Sequence, residues 1–437
     1  MARIPRLLCI MGSGETTPTM VKLHRQLFQQ MGSRPAVILD TPYGFQSNAS
    51  DISARAVLYF QQSAGAQVEL ASLLRAEGAS PVALESALAR VAAAAWVFCG
   101  PGSPTYALRQ WRLTSLPRLL ADKLANGGCL VFSSAAALTV GHWTVPVYEI
   151  YKAGADPSWV EGLNLLSPFG LNVAVIPHYD NAEGGTHDTR YCYLGERRLH
   201  YMEGQLPLDG WALGVDEHTA CVLDFDKGEA TVWGLGSVTL RHLGHELKFM
   251  AGAALPLAQL PDLALGRGGG TALAGPSPAE PASVPAQGPA VPSSSGSGAG
   301  PPGPRPSPFL SEISRLSSDF DEALARRDPH LATEAVLGLE TCLHEWSADT
   351  FESDEVDRAR AILRRALLRL GEAAGPGMQD RRERVKPWVD ALLAERDEAR
   401  RTGRYTDADR VRDRLAAAGV DVRDTPSGTE WDLRSGA

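Results

Sequence analysis

Between residue 6 and about residue 256 the chain keeps returning to one pattern. A short apolar run of strand type stops at glycine or a hydroxyl residue and gives way to a stretch of helical character. Residues 7–11 stop at Gly12-Ser13-Gly14-Glu15, residues 36–40 at Thr41-Pro42-Tyr43-Gly44, and residues 96–99 at Gly100-Pro101-Gly102-Ser103. Residues 52–63, 84–95 and 106–120 carry helical spacing, the last with an interruption expected near Pro117. Residues 68–70 add a short strand. Such alternation predicts an α/β fold, a mostly parallel sheet sandwiched by helices, with its site at the carboxyl ends of the strands. The runs at 171–177, 211–215, 220–225 and 230–234 are shorter and tightly turned, and predict an antiparallel extension.

One junction is chemically pointed. Gly128-Cys129-Leu130-Val131-Phe132 runs into Ser133-Ser134 and then Ala135-Ala136-Ala137. A serine at a strand-to-helix turn is pushed out above the sheet edge, with backbone N–H groups of the following helix aimed at whatever binds there. Ser134 is therefore the candidate nucleophile. The positions two before and two after such a serine are ordinarily very small. Here they are Phe132 and Ala136, and the phenylalanine is expected to crowd the turn. Starting the motif at Ser133 puts Val131 in that place and brings no relief. The alternative is a buried strand entering a helix through two capping serines. A hydroxyl nucleophile needs a base, and the base needs an orienting acid. His178 closes a strand-like run in Ile176-Pro177-His178-Tyr179-Asp180-Asn181, and Asp216-Glu217 follow Gly214-Val215 on another turn.

Over residues 4–245 these features resemble the cyanophycinase and aspartyl dipeptidase (peptidase E, peptidase S51) family, which uses a class I glutamine-amidotransferase-like fold. The carriers are Gly100-Pro101-Gly102-Ser103, the Ser134 turn, Pro177-His178-Tyr179, Gly185-Thr186-His187-Asp188-Thr189-Arg190 and Gly214-Val215-Asp216-Glu217. The resemblance implies Ser134 as nucleophile, His178 as base and Glu217 as orienting acid. It implies that Gly100, Gly102 and the Ala135 amide face the oxyanion. It also implies that Asn181, His187 and Arg190 lie near the substrate, where arginine clamps a carboxylate. Neither cofactor nor metal is expected. The family's small-Ser-Ala-Gly-Ala pattern reads Phe-Ser-Ser-Ala-Ala-Ala here, and Pro101 removes a backbone donor from the oxyanion turn. Three neighbours are read separately: Gly12-Ser13-Gly14-Glu15 as a candidate anion cradle, Glu149 as a core-edge residue, and His218 as a turn residue.

From about 257 to 308 the composition collapses towards Gly, Pro, Ala and Ser, and such a segment cannot bury enough apolar surface to fold. A flexible tether is expected between a domain at 1–256 and another at 309–437. The latter shows amphipathic stretches at 309–326, 329–346, 354–370 and 384–418, the last breaking near Thr402-Gly403-Arg404. Val420-Asp421-Val422 and Thr429-Glu430-Trp431, flanking Pro426-Ser427-Gly428, predict a small β-hairpin. This all-α region with its hairpin resembles the C-terminal domain of cysteinyl-tRNA synthetase, most tightly over 389–431. The carriers are Ala408-Asp409, Arg412-Asp413 and Asp424-Thr425-Pro426-Ser427-Gly428-Thr429-Glu430-Trp431. The resemblance implies a tRNA-docking surface, with Arg396, Arg400, Arg412 and Trp431 as contacts through phosphate pairing and base stacking. His242-Leu243-Gly244-His245 resembles that enzyme's ATP signature, but it follows the α/β domain instead of opening one and is read as coincidence.

A formal charge of −9 argues against a general affinity for nucleic acid or anionic membrane, leaving a local basic face as the route to tRNA. The six cysteines lie far apart without metal or redox spacing, as buried thiols of a cytoplasmic protein do. No apolar run approaches the ~20 residues that cross a bilayer. Two function classes stay open. One is a serine peptidase or amidohydrolase acting on a small-molecule or peptide amide and tethered to a tRNA-binding-like module. The other is a catalytically inactive binding or scaffold protein whose C-terminal module contacts tRNA or a protein partner. A homodimer is compatible with both.

Overall fold

Alternate residues of the first strand, β1 (Arg6–Met11), enter different cores. Leu8 and Ile10 pack with Trp111, Leu120 and Phe132, while Leu7, Cys9 and Met11 pack with Met20, Leu23 and Leu27. A strand covered on both faces belongs to the middle of a layered α/β fold, and each such large apolar side chain contributes about 1.5–3 kcal/mol on burial. The computed structural model describes residues 3–184, 187–267, 307–347, 355–378, 380–425 and 428–434. It divides into two compact units, Met1–Ser311 with Cys342–Asp354, and Glu312–Thr341 with Glu355–Ala437.

In the first unit β1 joins β2 (Ala36–Leu39), β3 (Glu69–Ala71), β4 (Trp96–Cys99) and β5 (Gly128–Ser133) in a parallel array ordered β1-β5-β4-β2-β3. A second sheet contains β6 (Trp143–Thr144), β7 (Val160–Glu161), β8 (Val173–Ile176) and β9 (Trp211–Val215). On the far side of β1 the larger sheet continues antiparallel through β10 (Thr219–Asp224) and β11 (Glu229–Gly234). The hairpin of β12 (Ser237–His242) and β13 (His245–Met250) returns to the second sheet, giving the order β13-β12-β9-β8-β6-β7. Strand β14 (Ala254–Pro256) closes the edge of the larger one. The later strands are thus more than an extension, because β9 pairs with β8 and not with the main array.

Helices α1 (Pro18–Met31), α2 (Ala49–Tyr59), α3 (Pro81–Ala93), α4 (Pro104–Trp111) and α5 (Leu116–Asn126) cover the array. The interruption expected near Pro117 in the helical stretch 106–120 is a break at 112–115 between two helices, and Pro117 lies in the first turn of the second, α5. Proline is tolerated there because the first-turn N–H has no intrahelical partner. Short helices α6 (Ser134–Leu138), α7 (Val147–Tyr151), α8 (Gly195–Glu203) and α9 (Leu260–Ala264) complete the unit. The last of these corrects the start of the tether: Leu257, Leu260 and Ala264 are buried in the core, so the fold continues past 256. Most of the low-complexity stretch, 268–306, lies outside the described residues. His242-Leu243-Gly244-His245 is the tight turn of the β12–β13 hairpin, with Leu243 at φ 49° and Gly244 at φ 80°. Two successive positive φ values are what a two-residue hairpin turn requires.

The second unit holds most of α10 (Pro308–Ala325) and α11 (Pro329–Glu345), whose residues 308–311 and 342–345 fall in the first unit, and then α12 (Glu355–Met378), α13 (Arg381–Arg401) and α14 (Tyr405–Ala417), followed by β15 (Val420–Thr425) and β16 (Gly428–Leu433). The α13–α14 break falls where expected, with Gly403 at φ 74°. Pro426 and Ser427, expected in the hairpin turn, lie outside the described residues. Val389, Leu393, Leu415, Val420 and Trp431 form the core that seats the hairpin on α13 and α14.

Candidate active site

Strand β5 gives way to α6 between Ser133 and Ser134, and Ser134 takes φ 50°. A serine held in the left-handed region stores about 1–3 kcal/mol, which the surrounding packing must sustain. The crowding expected from Phe132 does not arise. Its ring is fully buried and packs edge-on against Trp111, centroids 6.4 Å apart, so the tightness of the turn is carried by Ser134 itself. Nor is Ser133 a capping serine: its hydroxyl makes no cap bond and donates instead to Glu15 Oε2 at 2.7 Å.

The Ser134 Oγ lies 2.9 Å from His178 Nε2, and His178 Nδ1 lies 2.9 Å from Glu217 Oε1. His178 ends the run after β8 at φ 48°, and its backbone is tied to the 191–193 turn by Cys192 N–H donating to its carbonyl at 3.1 Å. Glu217 follows β9, with its own N–H donated to Asp180 Oδ1 at 2.8 Å. Asn181 Nδ2 donates to Glu217 Oε1 at 3.1 Å. Asn181 therefore braces the acid and is fully buried, not free to meet a ligand.

The electrostatics agree with the distances. Burial pulls His178 towards its neutral form. The Glu217 hydrogen bond and charge outweigh it, with help from Glu15 and Glu183, so the imidazole pKa lies above its ordinary value. For Glu217 burial acts upward, and the bond and charge of His178, then the Asn181 bond, bring the carboxyl below its ordinary value. Asp180 is raised to about 6, first by burial and then by Asp216 beside it. His218, next to Glu217, is lowered to about 4 by burial, which leaves the imidazole neutral at pH 7.

Around the serine, the Gly100 carbonyl accepts the Ala136 N–H at 3.2 Å, clamping the 100–102 turn to the start of α6. Gly102 sits at φ 132° against the 41–43 turn, where a Cβ would come 2.1 Å from the Pro42 carbonyl oxygen. Ala135 is buried beside Ser134. Arg190 already has a partner. Its guanidinium is bidentate to Asp188 at 2.9 Å for both bonds and stacks 4.9 Å over Tyr191. His187 Nε2 lies 3.4 Å from the Tyr151 hydroxyl, while Gly185 and Thr186 fall outside the described residues. Glu149 takes the Thr105 hydroxyl on Oε1 at 2.7 Å, at the core edge.

The candidate anion cradle at residues 12–15 is closely packed. A Cβ on Gly12 would come 2.0 Å from the Asp216 carbonyl oxygen, and one on Gly14 2.3 Å from His218 Nδ1. These glycines let the loop press against the 215–218 turn, and they deliver Glu15, 3% exposed, to Ser133.

In the second unit the expected tRNA contacts divide. Arg396 is 4% exposed and bidentate to Asp424 at 3.0 and 2.7 Å. Trp431 is buried in the hairpin core, its indole N–H donated to Asp390 at 3.3 Å and its ring covered by Arg382 at 5.1 Å. Both residues hold the hairpin to α13 and are not presented for phosphate pairing or base stacking. Arg400 shares Asp424 at 2.7 Å but is half-exposed, and Arg412 is exposed on α14.

Known proteins resemble the chain over parts of its length. Residues 382–431 match the family model described as the cysteinyl-tRNA ligase anticodon binding domain. The cysteine–tRNA ligase of Nitratidesulfovibrio vulgaris (strain DP4) is 34% identical over 152 residues, 30% of this chain and 30% of that one. That of Salinibacter ruber is 52% identical over 46 residues, covering 10% of this chain and 9% of its own. The chain therefore spans about a third or less of the length of these curated relatives. Among solved structures, a peptidase from an acI-B1 Actinobacterium aligns over 58% of this chain and 98% of its own, at 22% identity and a TM-score of 0.47. A putative peptidase E protein from Listeria monocytogenes EGD-e aligns over 53% and 100%, at 13% identity and a TM-score of 0.37. Among the described residues no helix is long and apolar enough to cross a membrane.

Proposed function

We propose that the first unit is a serine hydrolase that cleaves an amide or peptide bond through an acyl-enzyme on Ser134. Two successive 2.9 Å hydrogen bonds, Ser134 to His178 and His178 to Glu217, carry this reading. The Ser134 oxygen attacks the carbonyl carbon while its proton passes to His178 Nε2. Glu217 holds the ring tautomer and balances the imidazolium. The C–N bond then breaks as His178 returns that proton to the leaving amine. Water, deprotonated by the same nitrogen, attacks the acyl carbon and restores Ser134. The Ala135 N–H and the N–H groups of Gly100 and Gly102 receive the oxyanion, each such donor being worth about 10²–10³ in rate. Pro101 contributes none. A fluorophosphonate probe should label the full-length protein on the peptide containing Ser134, and Ser134→Ala should stay unlabelled. Labelling that persists in the variant, or a wild-type protein that never reacts, returns the unit to a binding or scaffold role.

A second reading concerns the C-terminal unit and rests on the match of residues 382–431. It contacts tRNA through its exposed basic residues, Arg400 and Arg412, on a scaffold that Arg396 and Trp431 hold together. Filter binding with bulk tRNA should give an affinity that falls steeply with salt, and Arg412→Ala should weaken it and lower the salt slope by about one. A titration with no salt-sensitive binding removes this reading.

A further inference from the structure

The buried carboxylate at the end of the first loop belongs to the site. Glu15 is 3% exposed and pinned at two points: its backbone carbonyl accepts His24 Nε2 at 2.8 Å, and its Oε2 accepts the Ser133 hydroxyl at 2.7 Å. Ser133 is the residue before Ser134, whose Oγ is 2.9 Å from the base. Gly100 is also close, since a Cβ there would lie 3.6 Å from Glu15 Oε1. Glu15 therefore stands where the nucleophile turn and the 100–102 turn meet. No substrate contact is needed for it to act on both.

We propose, resting on the hydrolase reading, that Glu15 is a positioning residue with two separable effects. Its carboxylate fixes the Ser133–Ser134 turn through the Ser133 hydroxyl, and its negative charge supports the His178 imidazolium formed when Ser134 gives up its proton. The ionisable groups whose charges bear on His178 are Glu217, bonded to its Nδ1, Glu15 from the first loop and Glu183 from the 181–184 turn, with neutral His218 next to Glu217; Asp180 acts through the Glu217 N–H. The three glutamates all favour the charged imidazole. Glu15 alone among them is also bonded to the nucleophile's own turn.

Full-length wild type, Glu15→Gln, Glu15→Asp and Ser133→Ala separate the two effects. Gln keeps the volume and an acceptor oxygen but removes the charge. Asp keeps the charge with a shorter reach, and Ser133→Ala removes the bond while leaving the charge. The His178 ring titration, followed by NMR and assigned by its loss in His178→Gln, needs no activity. In Glu15→Gln its midpoint should fall to lower pH. The acid limb of fluorophosphonate labelling should move in the same direction, with the neutral-pH rate down on the order of tenfold. Ser133→Ala and Glu15→Asp should slow labelling with the midpoint in place. A midpoint unchanged in Glu15→Gln, or moved as far by Ser133→Ala, overturns the proposal. A wild-type protein that never labels, with the Glu15→Gln midpoint still lowered, sinks the hydrolase reading and leaves the field of Glu15 standing.

Discussion

On the proposed acyl-enzyme mechanism, replacing His178 with alanine should reduce fluorophosphonate labelling by about 10⁶-fold, and replacing Glu217 with alanine by about 10⁴-fold. The ranking follows from what each side chain touches. His178 is the group within hydrogen-bond distance of the Ser134 hydroxyl, so without it the alcohol must lose its proton to water. Glu217 touches no reacting atom. It orients the ring through Nδ1 and is itself held by Asn181 Nδ2 and by the bond from its N–H to Asp180. Losing it frees the ring and removes the charge that balances the imidazolium, but leaves a base in place. Because the three residues act as a unit, the double variant should be little worse than His178→Ala alone. A His178→Ala protein that labels within tenfold of wild type would mean that Ser134 is activated by something other than its neighbour at 2.9 Å, and the mechanism would have to be abandoned.

Ser134, His178 and Glu217 could be picked out of the chain because each closes a strand-like run, although Ser134 follows β5 of the larger sheet while His178 and Glu217 follow β8 and β9 of the second. The array itself was equally readable, since β1, β2, β4 and β5 are unbroken apolar runs. Local pattern could not show which polar residues would be drawn inside. Glu15 acquires its role from Ser133, 118 positions away in the chain. Arg396 and Trp431 read as surface contacts because an arginine on an amphipathic helix and a tryptophan near a turn usually are. The hairpin folding back onto α13 buries both, with Asp424 and Asp390 as partners. Arg190 instead has a local partner, Asp188, only two residues away.

Arg241 stands out in none of the motifs, yet Arg241→Met should destabilise the first unit by about 3–5 kcal/mol. Its side chain is 1% exposed and meets Glu196 at 2.5 Å, Glu203 at 3.0 Å and Glu246 at 2.9 Å, with the Tyr191 ring 4.9 Å from the guanidinium carbon. Burial acts to lower its proton affinity, and the hydrogen bonds of Glu196 and Glu203 more than reverse this, leaving it raised. Removing the cation leaves Glu203, whose side chain is only 2% exposed, without its ion-pair partner and held by the Gly244 N–H at 3.1 Å. Leaving a charge buried without its partner costs more than the pair itself contributes, so Arg241→Met/Glu203→Gln should recover part of the loss. The damage also reaches the base. Tyr179, next to His178, donates its hydroxyl to Glu246 at 2.6 Å, and Tyr191 donates its own to Glu196 at 2.9 Å. The Tyr191 N–H bonds to the Tyr179 carbonyl at 3.0 Å, in a turn where Tyr191, Cys192 and Tyr193 have φ of 61°, 55° and 63°. Three consecutive left-handed residues persist only while their surroundings impose them, and the Arg241 cluster grips one of the three and the residue beside the base. Urea unfolding of the full-length chain should show the early loss of one transition in Arg241→Met. The surviving folded protein should label more slowly than wild type at every pH, without the shift in the acid limb expected of Glu15→Gln. Stability within about 1 kcal/mol of wild type would mean that water or a neighbour replaces the cation, and that the turn carrying His178 is held by its backbone bonds alone.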